Sequence, residues 1–337
     1  MSDPARMMGD MGIELATFEG CLLGHALGDA LGAPVEFVDL AGIVERYGPH
    51  GLRTLEPWDG RPAGSYTDDT QLMLATASAL LDAAELWERE QSADPAQLAW
   101  AHYTAWCETQ NDPFHARRPG QTCLDSIRSG HPGDTFDPIN DRKGAGGIMR
   151  VAPVGLLLEP DRAFEVAVDL AALTHGHPSG YLAAGVYADI VARMVRGAGT
   201  AQAVAGAREQ LLGWEDDAVE TLDALDLAVE LFMSDAHPGE AIALIGEGWV
   251  AEEALGIAVY CALSYPEDWT EGVLAAVNIT GDSDTTGCLT GALLGTALGQ
   301  HAIPGAWLDR LEGSGELVGA ARALWQARTG HSGSSGS

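Results

Sequence analysis

The chain has 337 residues, 46% of them hydrophobic, enough to bury a large core without disulfides or a structural metal. Its 18 Lys and Arg stand against 49 Asp and Glu, a formal net charge of −31. That balance excludes a non-specific nucleic-acid surface, which needs clustered cations to displace counterions, and disfavours docking on an anionic membrane.

The opening MSDPARMMGDMGIELATF carries Asp3, Asp10 and Glu14 where a signal peptide has its apolar core, so a cytoplasmic location is expected. Next comes GCLLGHALGDALG (Gly20–Gly32), an apolar helix with glycine at every fourth position. It returns near the other end as GCLTGALLGTALG (Gly287–Gly299), identical at nine of thirteen positions. Glycine inside a helix costs about 0.5–1 kcal/mol against alanine. Two bare faces therefore predict a close crossing of a first and a last helix, which would bring their flanking acids together. Asp29 interrupts the first of these helices and is either a hydrogen-bond acceptor or a catalytic acid. Glu36 follows the Pro34 helix stop between Val35 and Phe37, where desolvation would raise its pKa as suits an acid–base residue.

A long loop is expected over residues 34–66. A helix follows over Asp69–Ala84, with its apolar stripe at Met73, Ala77, Leu80, Leu81 and Ala84. A second stripe covers Leu98–Cys107, and a second loop residues 108–147. That loop runs into Lys143-Gly144-Ala145-Gly146-Gly147-Ile148-Met149-Arg150. Three glycines in four residues are either a flexible loop or a backbone cradle for an anion such as phosphate. The segment fits neither a dinucleotide-binding fingerprint nor a Walker A loop. Helical periodicity resumes over Ala163–Leu173, Tyr181–Val195, Asp217–Phe232, Ala251–Leu263 and Gly319–Ala327. Between the first two lies Thr174-His175-Gly176-His177-Pro178, and a third loop is expected over 264–272. No hairpin signal occurs, so the expected fold is all-α: a single compact domain over residues 1–329, with 330–337 a flexible tail. The five scattered cysteines form no CxxC pair and are expected to be thiols. No apolar run is long enough to span a bilayer.

Two segments carry most of the chemistry. Thr67-Asp68-Asp69-Thr70 precedes one helix, and Gly281-Asp282-Ser283-Asp284-Thr285-Thr286 precedes the second glycine-rich one. Helix capping accounts for one such residue at each start, not for two acids. Four carboxylates brought together repel one another unless cations sit between them. Oxygen donors without cysteine or paired histidine select a hard ion, Mg²⁺ or Mn²⁺, over zinc. A bound cation would also let so acidic a chain take an anionic ligand.

In this order, GDALGAPVEF, SYTDDTQL, GAGGIMRVAPVGLL, LTHGHPSG and VNITGDSDTTGCLTGALLG resemble the ADP-ribosylglycohydrolases, from Gly20 to about Gly299. That family includes ADP-ribosylarginine and ADP-ribosylserine hydrolases. The resemblance implies an all-α fold with a central metal cleft and a binuclear Mg²⁺ or Mn²⁺ centre held by Thr67, Asp68, Asp69, Asp282, Asp284 and Thr285. It implies a catalytic role for Glu36; Asp29, read from its place in the first helix, is the second candidate. It also implies ligand binding by Gly144, Gly146, Gly147, Ile148, Met149 and His175. Two departures stand out. Ala145 occupies a position that is Asn in many members. Where the arginine-specific bacterial branch carries an aspartate loop, this chain reads Arg117-Arg118-Pro119-Gly120-Gln121-Thr122, which argues against an arginine-linked substrate.

The expected activity is metal-dependent hydrolysis of the glycosidic bond at C1″ of ADP-ribose on a protein or small-molecule acceptor, by a monomer. Two competing readings are a catalytically silent ADP-ribose binder and a two-metal nucleotide phosphohydrolase, which would release phosphate or mononucleotide instead of ADP-ribose.

Overall fold

The computed structural model describes residues 13–234 and 236–330. Residues 1–12, with Asp3 and Asp10, and the part of the expected tail beyond Gly330 lie outside these residues. The described chain is helical: α1 (Leu15–Gly32), α2 (Leu40–Tyr47), α3 (Asp68–Glu88), α4 (Pro95–Thr109), α5 (Gln121–Arg128), α6 (Ala152–Leu157), α7 (Pro160–Ala172), α8 (Pro178–Val195), α9 (Thr200–Leu211), α10 (Val219–Phe232), α11 (Pro238–Ile245), α12 (Ala251–Ser264), α13 (Trp269–Val277), α14 (Ser283–Leu298), α15 (Gly305–Leu308) and α16 (Ser314–Thr329). Among the described residues no strand forms beyond two isolated bridges, Trp58 with Arg61 and Gly144 with Val250. No helix there is long and apolar enough to cross a membrane. The five cysteines are free and buried.

The centre of the fold is the crossing of α1 and α14, which run antiparallel with their backbones in contact. A β-carbon on Gly20, Gly24 or Gly28 would collide with the carbonyl oxygen of Gly295, Gly291 or Gly287 respectively, and one on Gly32 with that of Ser283. The entropic cost of glycine is thus offset by an approach that no other residue permits. The glycine repeat predicted this crossing, although α16 rather than α14 ends the described chain. Trp269 of α13 caps the contact, its indole donating to the Gly291 carbonyl at 2.9 Å. Tyr187 of α8 donates to the Leu289 carbonyl at 3.0 Å, joining a third deeply buried helix to the pair. The remaining helices pack around this trio.

Three predicted helices begin three residues before their apolar stripes, at Pro95, Pro160 and Pro178, because proline suits the first helical position while the stripe starts only where the helix meets the core. The expected loops need correction. Residues 34–66 contain α2, capped by Asp39, whose carboxylate accepts from the Gly42 amide at 2.8 Å. Residues 108–147 contain α5, whose buried face is Cys123, Leu124 and Ile127. Within 264–272, α13 already begins, capped by Asp268. These helices are short, so each shows only one or two turns of periodicity, and their caps are the clearer signal.

Candidate metal centre and cleft

The α1–α14 crossing delivers acids from three helices to one place. Asp29, one residue beyond Gly28, is fully buried, and its carboxylate accepts from the Thr67 amide at 2.9 Å and the Thr70 amide and hydroxyl at 3.1 and 2.6 Å. It therefore caps α3 from outside that helix and fixes the start of the Thr67–Thr70 segment. Asp68 is held from the other side: its amide donates to the Arg117 carbonyl at 3.1 Å, and its carboxylate accepts from the Gly120 amide at 3.2 Å. Asp69 meets α14 directly, accepting from the Thr285 hydroxyl at 2.9 Å. Asp282 is anchored through its amide to the Glu247 carbonyl at 2.8 Å.

Glu36, Asp282 and Asp284 each bring a carboxylate oxygen within 4.8 Å of the others. Asp29, Glu36, Asp68, Asp69, Asp282 and Asp284 are all at most 8% exposed. Burial first, and then mutual repulsion with Asp284 prominent, pushes Asp69 and Asp282 well above the usual carboxylate range, and burial does the same to Asp68. The same two causes push Asp29 up to about 7 and Glu36 up to about 10, with Arg118 pulling Glu36 the other way. Charges of one sign stay buried together only when protonated or when a cation joins them. An enclosed, all-oxygen donor set of carboxylates and hydroxyls fits a hard divalent cation.

Arg118 lies against this cluster. Its guanidinium donates to Glu36 Oε2 at 3.0 Å, to Asp59 Oδ2 at 2.9 Å and to the Ala33 carbonyl at 2.5 Å. The sequence flagged the Arg117-Arg118 segment only as a departure and gave no partner for it. Arg118 packs between Trp58 and Phe37, and Phe37 stacks on Trp249 at 5.8 Å. The segment around Trp249 was also missed. It joins the glycine loop to the acidic cluster: the Trp249 carbonyl accepts from the Ala145 amide at 3.1 Å, two residues after Glu247 holds Asp282.

The predicted ligand loop is more buried than expected. The Ile148 and Met149 side chains lie in the core, and both amides donate to the Ala145 carbonyl at 3.1 Å. His175 is 1% exposed and bonded through Nδ1 to the Thr174 hydroxyl at 2.9 Å. It sits beneath the loop, where a β-carbon on Gly146 would press on Cys123 and His175. Burial, aided by Arg150, lowers the His175 pKa to about 3, so the ring is neutral here. Gly144, Gly146 and Gly147 are the residues on which an anion cradle would have to rest.

A sequence model of the ADP-ribosylglycohydrolase family matches residues 13–333. The chain is 28% identical to the ADP-ribosylhydrolase ARH3 of Homo sapiens, covering 92% of this chain and 93% of that one. It is also 28% identical to the ADP-ribosyl-[dinitrogen reductase] glycohydrolase of Rhodospirillum rubrum, over 87% and 89% of the two chains. Among solved structures, an ADP-ribosylglycohydrolase-related protein complex aligns with a TM-score of 0.72 at 26% identity, covering 93% of this chain and 98% of that one.

Proposed function

This chain belongs to the ADP-ribosylglycohydrolase family of hydrolases, and from that premise we propose that it releases ADP-ribose from a modified acceptor at the acidic cleft between α1, α3 and α14. The observation that carries this reading is the meeting of Asp69 with Thr285 beside the Glu36, Asp282 and Asp284 oxygens, a buried cluster of oxygen donors with the Cys288 thiol against Asp69.

Thr67, Asp68, Asp69, Asp282, Asp284 and Thr285 are the proposed holders of two divalent cations, Mg²⁺ or Mn²⁺. Bound there, the cations would supply Lewis-acid attraction for ribose hydroxyls and for an attacking water. Glu36 is the proposed acid–base group: its carboxylate stands within 4.8 Å of those of Asp282 and Asp284 and is held in place by Arg118. Proton transfer from Glu36 to the departing acceptor atom, and back from water, would let the bond at C1″ break while the cluster stabilises positive charge on the sugar. Asp29 serves better as a positioning residue than as a catalyst, because its carboxylate is taken up by Thr67 and Thr70. The backbone amides of Gly144, Gly146 and Gly147 are proposed to donate to the diphosphate, with Lys143 pinning the loop through Glu220 and Glu252. His175 supports that loop from below.

Mass spectrometry of products from ADP-ribosylated peptides, with and without Mg²⁺ or Mn²⁺, tests the reading. Free ADP-ribose and unmodified peptide are expected, and only with metal. Release of AMP or phosphate would instead assign a phosphohydrolase, and no turnover with retained ADP-ribose affinity would assign a binder.

A further inference from the structure

We propose that Arg118 sets the acceptor specificity of this cleft: its guanidinium fills the place beside Glu36 that a cationic, guanidinium-linked acceptor needs, so the site takes acceptors that are attached through oxygen and carry no positive charge. The inference rests on the glycohydrolase reading above and concerns which acceptor can leave beside Glu36.

Arg118 is fixed to an unusual degree for a long cationic side chain. Glu36, Asp59 and the Ala33 carbonyl engage its Nε and Nη1, while its guanidinium carbon lies 4.6 Å from the Trp58 ring centre and 5.3 Å from that of Phe37. Trp58 is itself held, its indole donating to the Ser65 carbonyl at 2.9 Å. A planar cation gripped by two rings and two carboxylates is the arrangement in which arginine cannot be replaced by lysine. Its backbone is also strained, with φ at +60° in a residue that precedes Pro119. Such strain persists where the surroundings demand one side-chain position. Here that position is the carboxylate of Glu36.

The consequence follows from charge. A cationic acceptor taken out of water at such a site needs a carboxylate to face it. In this chain the carboxylate already faces Arg118, and a second guanidinium would be brought against the first where little water screens them. An oxygen leaving group has no such conflict. It meets a fixed donor that can share a hydrogen bond as negative charge develops on the leaving oxygen.

The test compares kcat/KM for ADP-ribose release from an ADP-ribosylserine peptide and from ADP-ribosylagmatine, with Mg²⁺ present. Wild-type protein should favour the serine linkage by about a hundredfold or more, a range expected when a site leaves a charge unpaired. Arg118→Ala should shrink that ratio about tenfold or more, whatever its effect on the absolute rates. Arg118→Gln keeps bulk and a donor but no charge, and should shift the ratio the same way if the alanine variant folds poorly. Methylguanidine should raise the Tm of Arg118→Ala and leave that of wild type unchanged, because only the variant has a vacancy between Trp58 and Phe37. An unchanged ratio with both rates lowered together would overturn the inference and reduce Arg118 to a prop for Glu36. So would equal wild-type rates on the two substrates. A wild type inactive on both substrates counts against the glycohydrolase reading, and the methylguanidine result still decides, without turnover, whether Arg118 occupies a guanidinium site.

Discussion

The Thr285 hydroxyl donates to the Asp69 carboxylate at 2.9 Å, joining two helix starts that lie 216 residues apart in sequence. Nothing local makes this bond. It exists because the glycine faces of α1 and α14 let two backbones touch, which places the start of α14 over the start of α3 that Asp29 holds.

Replacing a glycine at that contact should therefore disturb the site through the fold. Gly291→Ala sets a β-carbon against the Gly24 carbonyl, and the obstacle is backbone that cannot rotate away. Urea denaturation should show a loss of about 3 kcal/mol or more, at the upper end of overpacking effects. Stability within about 0.5 kcal/mol of wild type would show that the crossing is looser than described.

Removal of metal should be visible in both stability and rate. A ligand at a hundredfold excess over its Kd stabilises the folded state by about 2.7 kcal/mol. Added EDTA is thus expected to lower Tm by several degrees and to abolish ADP-ribose release, with Mg²⁺ or Mn²⁺ restoring both. Asp284→Asn should be inactive, yet its metal-free form should be more stable than metal-free wild type, because Asp284 opposes ionisation of Asp29, Asp69 and Asp282. A metal-free variant less stable than its parent would show that Asp284 is held by contacts rather than repelled.

The pH dependence of the metal-free protein has a definite sign. Asp29 and Glu36 are raised from 3.8 and 4.5 to about 7 and about 10, so the folded state binds protons that the unfolded chain has already lost. Stability therefore falls as pH rises above the ordinary carboxylate range and continues to fall until the raised groups ionise. Thermal scans in EDTA between about pH 5 and pH 8 should show Tm declining with pH, and saturating Mg²⁺ should flatten the decline. A metal-free Tm that rises over this window would contradict the repulsive cluster.

Glu36→Gln keeps shape and hydrogen bonding to Arg118 but removes the base. It should lower kcat by about 10²–10⁴-fold with little change in ADP-ribose affinity. If metal affinity falls in parallel, Glu36 is a ligand of the cluster, as its distance from Asp282 and Asp284 also permits. A kcat within about threefold of wild type would remove it from the mechanism.

Much of this site was legible in the chain. The glycine repeat specified the crossing, and the doubled acids at two helix starts specified what the crossing assembles. The sequence was less informative where function depends on distant neighbours. Asp29 looked like a candidate catalyst because sequence cannot show that Thr67 and Thr70 consume its oxygens. His175 was assigned to the ligand through the family resemblance, and the sequence did not show that it would be buried beneath the glycine loop. Gly146 faces Cys123 and His175, so a bulky substitution there would disrupt packing before it tested any phosphate cradle. Arg118 and Trp249 gave no periodic or motif signal at all. Their roles arise from loops that meet only in the folded chain.

The central claim is that the acids gathered at the α1–α14 crossing exist to hold cations. Calorimetric titration of Mn²⁺ into the metal-free protein tests it most directly. The expected result is about two equivalents bound by wild type and at least one lost in Asp284→Asn, with the fold of the variant intact by circular dichroism. No binding by wild type, or the same two equivalents in Asp284→Asn, would contradict it.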